Sequence, residues 1–164
     1  MDLREDDFNN VNPGEPRILI PEEGWYPARA TDYEAKRYGG WGEKLIVLWM
    51  VFTSKDKSSF KMLNRYYNLQ RDMGKRLKFG PLHDYRKDWV AANGGRLPVD
   101  RSRLPPAIFQ GNMFLVEVLT VKRDSKGRPL SSSFYWSKIG RVIRPIEEGE
   151  RWEGLPVEPL NSSE

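Results

Sequence analysis

Three clusters in this 164-residue chain combine positive charge with aromatic rings. Lys36, Arg37, Tyr38, Trp41 and Lys44 crowd one short stretch; Lys61, Arg65 and Tyr67 share one parity; Lys122, Arg123, Lys126 and Arg128 surround Ser125-Lys126-Gly127. Those residue types suit a single nucleic-acid strand. Rings stack on unpaired bases at ~1–3 kcal/mol each without reading sequence, while Lys and Arg follow the phosphates. DNA and RNA stay open as alternatives for the ligand, with DNA preferred.

Catalytic chemistry is poorly served. Cysteine is absent, which removes disulfides, thiolate nucleophiles and cysteine-ligated metals, and His83 is the sole histidine. Asp84 and Asp88 lie one helical turn apart but stand beside Arg86 and Lys87, so they read as solvated surface charge. Glu117 sits in an apolar run, and nothing gathers the carboxylates. Gly39-Gly40-Trp41-Gly42-Glu43-Lys44 lacks the spacing of a phosphate loop and precedes a strand. The expectation is a binding protein: no enzyme, no cofactor and no metal.

Charge is divided by position. The net +4 resolves into −5 over residues 1–24, +14 over 25–144 and −5 over 145–164. A basic body attracts polyanions through phosphate neutralisation and counterion release. Residues 1–17 are expected to form a flexible acidic arm, 18–146 the folded domain, and 147–164 an acidic tail. Such ends either compete with nucleic acid for the basic groove, offer replication or recombination proteins a handle, or serve solubility alone. With a mean hydropathy of −0.69, no apolar run near the ~20 residues of a membrane span, and an acidic start unlike a signal peptide, the expected address is cytoplasmic.

The elements that would position these residues follow from periodicity. Trp25 to Ala35 reads as a first strand, with Pro27 at an edge or bulge, and the unbroken Leu45 to Phe52 as a central one. In Phe60 to Leu69, Phe60, Met62 and Tyr66 compete with Leu63, Tyr67 and Leu69 for the inner face. Leu82, Tyr85, Trp89 and Ala92 form a helical stripe ended by Asn93-Gly94-Gly95. Pro98 to Pro106 must be irregular. Asn112 to Lys122 and Ser133 to Ile143 complete the set, joined by a hairpin.

The resulting order, β-β-β-α-β-β, predicts a mainly β protein with one helix: a five-stranded Greek-key barrel of the OB-fold type. That fold binds oligonucleotides across strands two and three and through the loops joining strands one to two and four to five. The three basic and aromatic clusters fall at those places.

Gly24-Trp25-Tyr26-Pro27-Ala28, Arg65-Tyr66-Tyr67-Asn68-Leu69 and Gly111-Asn112-Met113-Phe114-Leu115-Val116-Glu117-Val118 resemble single-stranded DNA-binding proteins of phages, plasmids and integrative elements. The resemblance implies an accessory of replication, recombination or transfer, with homo-oligomers formed through strand edges. The alternative is a protein-interaction or inhibitor module that uses the same groove for a protein partner.

Overall fold

Alternation along each apolar run determines which face of each strand is buried. The computed structural model describes residues 17–39, 42–80, 82–100 and 103–157. Its strands are β1 (Gly24–Arg37), β2 (Glu43–Phe52), β3 (Phe60–Leu69), β4 (Met113–Val121) and β5 (Trp136–Pro145), with one α-helix, α1 (Asp84–Ala92). Leu45, Val47, Trp49 and Val51 of β2 point into the core, where Trp49 meets Phe109 and Phe114 edge-on.

The strands form one antiparallel sheet in the order β3-β2-β1-β4-β5. Among the described residues no ladder joins β3 to β5, so the sheet is open where the expected barrel would close. β1 is central and carries a bulge at Thr31: Ala30 pairs with Trp49 and Asp32 with Leu48. The extra residue reverses parity, so Ala28 and Ala30 are buried before it while Tyr33 packs on the core after it. Pro27 lies in this central strand rather than at an edge. It sits one residue beyond the last β1–β2 pair, Ala28 with Val51, so its missing N–H costs that ladder nothing.

The helix spans the opening. It buries Tyr85, Asp88, Trp89 and Ala92, but Leu82, expected on the same stripe, is 81% exposed and precedes the helix. His83 caps the helix instead: its Nδ1 accepts from the Tyr85 amide at 3.1 Å. Nε2 must therefore be the protonated nitrogen that donates to the Asn68 carbonyl at 2.7 Å, tying the helix start to β3. The irregular proline-rich segment is pinned by α1, because Tyr85 Oη donates to the Leu104 carbonyl and Trp89 Nε1 to that of Pro105 at 3.1 Å.

Asp88 is the largest departure from expectation. It is 2% exposed rather than solvated. Oδ2 accepts from Tyr67 Oη at 2.5 Å and from Arg65 Nε at 3.4 Å, both on β3, while Oδ1 accepts from the Val142 amide on β5 at 3.0 Å. One carboxylate thus links the two strands that no ladder joins. Burial raises its pKa, although Arg65, Tyr67 and the Val142 amide oppose the rise. Burial also raises the Tyr67 phenol, and the Asp88 charge adds to it.

The expected acidic tail is docked as far as Val157. Glu150 takes both guanidinium nitrogens of Arg144 at 2.8 Å and accepts from Trp152 Nε1 at 2.9 Å. Lys55 Nζ donates to the Glu153 carbonyl, and the Val157 amide to that of Trp25 at 2.7 Å. Gly24 permits this: a Cβ there would stand 2.5 Å from that of Pro156, at φ +149°. A bidentate arginine and an apolar ring outweigh the segment's net negative charge. Residues 158–164, and 1–16 of the expected arm, lie outside the described residues.

The Arg144 hydrogen bonds hold the Glu150 carboxyl at about 2, below its ordinary 4.5. A lowered folded-state pKa contributes stability that is complete above the ordinary value and lost as pH falls through about 2. Hydrogen exchange across residues 147–157 is therefore expected to accelerate as pH falls through that window. In Glu150→Gln the acid step should vanish; its persistence there would assign it to another group.

Candidate nucleic-acid interface

The outer face of β1, β2 and β3 is built in rows of paired residues. Reading across the strands, Lys36–Lys44–Asn68 is followed by Glu34–Ile46–Tyr66, Asp32–Leu48–Asn64 and Arg29–Met50–Met62. The middle rows and Tyr38 line a cleft of about 390 Å³, with Ile46, Leu48, Met62 and Tyr66 as its apolar floor. Lys36 Nζ stands 5.7 Å from the Tyr38 ring centroid. Burial raises the Tyr38 pKa, with Tyr66 and then Glu34 adding to it, as expected of groups sharing one cleft. Asn64 Nδ2 reaches Tyr66 Oη at 3.4 Å.

This settles the inner face of β3. Leu63 and Tyr67 point into the core, and Phe60, Met62 and Tyr66 point outward. Tyr67 is 1% exposed and cannot stack on a base. Arg65, on the same side, is largely buried between Asp88 and Asp84. Burial opposes its charge, but Tyr67 and Asp88 prevail and raise its pKa. Both residues, expected at the binding surface, serve the β3–α1 contact. Lys44, also expected there, is 1% exposed.

The other expected residues are placed as follows. Lys36 and Arg37 belong to the end of β1 rather than to a loop, and both are exposed, Arg37 pairing with Glu43 at 3.4 Å. Trp41 lies outside the described residues. Lys61 is exposed near the start of β3, on the parity opposite Tyr66. The β4–β5 hairpin is organised by Asp124, whose carboxylate accepts from the Lys126 and Arg128 amides and from Arg128 Nε at 2.8 Å. Arg123 Nη1 donates to the Gly127 carbonyl at 2.8 Å, which leaves Lys126 projecting at the tip. In the strand order this hairpin belongs to the β4–β5 side of β1, away from the β2–β3 pair.

Two features were missed. Tyr66 is the outward aromatic of β3, and only the register distinguishes it from its neighbour Tyr67. The connection after β3 folds into a small hairpin in which Asp72 receives the Arg76 amide and Arg71 bridges Leu77. It carries Lys75, Arg76 and Lys78 on its exposed side. The sequence signal was the run Arg71-Asp72-Met73-Gly74-Lys75-Arg76, a turn rich in basic residues.

Among the described residues no group of three or more His, Asp or Glu side chains is placed to hold a metal, and no helix is long and apolar enough to cross a membrane. No family model and no curated protein matches the sequence.

Proposed function

We propose that this protein binds single-stranded DNA, largely without regard to sequence, on the outer face of β1, β2 and β3. The cleft lined by Tyr38, Tyr66, Lys36, Ile46, Leu48 and Met62 carries the reading, because it offers two rings and apolar floor to bases beside an exposed lysine. Further support comes from the strand order, which is that of an OB barrel opened between β3 and β5, with the helix placed over the opening. Lys36, exposed at the end of β1, supplies a phosphate contact on this face. In this reading the protein is non-enzymatic and acts in the cytoplasm, in replication, recombination or transfer of a mobile element. Fold likeness does not itself establish a function, so the test is direct.

Titration with oligo-dT should give an affinity that falls linearly on a log–log plot against salt. Tyr66→Ala is expected to lose about 1–3 kcal/mol of binding with little change in stability, whereas Lys36→Ala should lower the salt slope by roughly 0.7. Absence of binding at low salt would sink the proposal.

One observation favours a second reading. Asp32 and Glu34 line the same cleft and would repel phosphate. They suit a protein partner that presents a basic residue beside an apolar one. A stoichiometric protein complex abolished by Glu34→Lys, with no affinity for oligo-dT, would select that reading.

A further inference from the structure

We infer, resting on the single-strand binding proposed above, that the outer cleft prefers one base: it favours guanine, with Glu34 as the acceptor that reads the base's edge. The bulge at Thr31 is what brings that carboxylate to the cleft. Ala28 and Ala30 are buried ahead of it, so unbroken alternation would turn Asp32 and Glu34 inward; the extra residue sends Tyr33 in and both carboxylates out. Acids on a face offered to a polyanion are unfavourable unless they meet something other than phosphate.

A base edge is such a group. Guanine presents two adjacent donors on its Watson–Crick edge, the N1 imino and N2 amino groups, which match the two oxygens of one carboxylate. No other base does. Adenine and cytosine each offer an amino group beside a ring nitrogen that accepts, and the imino donor of thymine stands between two carbonyls, so a carboxylate facing those edges meets repulsion as well as attraction. Hydrogen bonds to a charged acceptor are also the stronger ones, which sharpens the difference.

The cleft positions Glu34 for this role. It lies in the row Glu34–Ile46–Tyr66, whose ends are two strand spacings, or about 10 Å, apart across the sheet. A base held against the Tyr66 ring above Ile46 turns its edge toward Glu34. Burial and Tyr66 raise the Tyr38 pKa and Glu34 adds to the rise, which sets the carboxylate's charge beside the second ring of the cleft. Among the described residues Glu34 has no hydrogen-bond or ion-pair partner, whereas Asp32 accepts the Tyr33 amide on Oδ1 at 2.8 Å. Both Glu34 oxygens are thus available to one base. Lys36 stands two residues along the same strand, about 7 Å away, so phosphate and base edge have separate partners.

The test compares oligomers of equal length: dT alone against repeats of dT-dT-dG, dT-dT-dA and dT-dT-dC, in which isolated guanines do not assemble into four-stranded structures. The dG repeat should bind about tenfold more tightly than dT, and the other two within about threefold of it. Hypoxanthine in place of guanine, lacking the N2 amino group, should remove most of the gain, and 7-deazaguanine, which keeps the whole edge, should retain it. In Glu34→Gln the dG preference should fall to about twofold or less while affinity for dT rises, because a charge that repels phosphate is gone. Equal affinity for the dT and dG oligomers would overturn the inference and leave the binding proposal standing. A preference that survives in Glu34→Gln, or is lost with 7-deazaguanine, would overturn it too, by assigning recognition to another group or another edge. Binding of none of the oligomers would overturn both.

Discussion

Asp88→Ala is expected to cost about 3–5 kcal/mol of folding stability, read as a lowered urea midpoint, because it strands a buried guanidinium. Arg65 would lose its inner carboxylate and keep only exposed Asp84 at 3.8 Å. The Tyr67 hydroxyl and the Val142 amide would also lose their acceptor within the core. Tyr67→Phe should be milder, at about 1.5–3 kcal/mol, since Asp88 keeps two donors. The double variant Asp88→Leu/Arg65→Met should recover much of the loss, because an apolar replacement removes both desolvated charges together. A cost below about 1 kcal/mol for Asp88→Ala would mean that β3 and β5 are held by packing alone.

The same carboxylate leaves a mark on pH dependence. Burial raises its folded-state pKa above the ordinary 3.8, so the folded state binds the proton more readily than the unfolded chain. Its contribution is complete below the ordinary value and is lost as pH rises through the raised one. Asp88→Asn should abolish that decline. Glu150 acts with the opposite sign and at lower pH, so the two groups separate in a titration of stability.

Trp49→Ala is expected to cost a comparable ~3–5 kcal/mol through the cavity it leaves. The ring is fully buried in β2 and packs edge-on against Phe109 and Phe114, which come from two other parts of the chain. Trp49→Phe should cost far less. Among the described residues the indole N–H meets no acceptor, so the phenyl ring removes a buried donor while losing some volume. Thermal melting of the two variants separates these effects: equal losses would show that volume alone matters.

Some of this was legible from local pattern. The apolar run from Leu45 to Phe52 reads as a strand covered on both faces, and β2 is that strand, but only its inner face is buried: Ile46, Leu48 and Met50 are half-buried on the outer one. Tyr85, Trp89 and Ala92 repeat at helical spacing and are the buried stripe of α1. Leu82 fits the same spacing yet is exposed, because the His83 cap starts the helix after it. Capping is a hydrogen-bond event at one residue and leaves no trace in hydrophobic periodicity.

The candidate site was less legible. In β3 both parities carry aromatic and apolar residues, so neither dictates a face. What decides is the carboxylate of Asp88, 21 residues along the chain, which takes the Tyr67 hydroxyl and draws Arg65 with it. Tyr66 is thereby turned outward. Lys44 was assigned by charge alone, and charge does not report burial: the residue is 1% exposed.

Composition, charge segregation and periodicity thus determined that the chain is a mainly β fold with one helix and a basic body. These are properties of short windows, where a side chain's own chemistry dominates. Tertiary structure alone decided which face of β3 is outward, that the sheet stays open between β3 and β5 with Asp88 across the gap, and that the chain folds back through Val157 onto Trp25. Each of those depends on a contact between residues far apart in sequence, whose energy exists only once the intervening chain has folded.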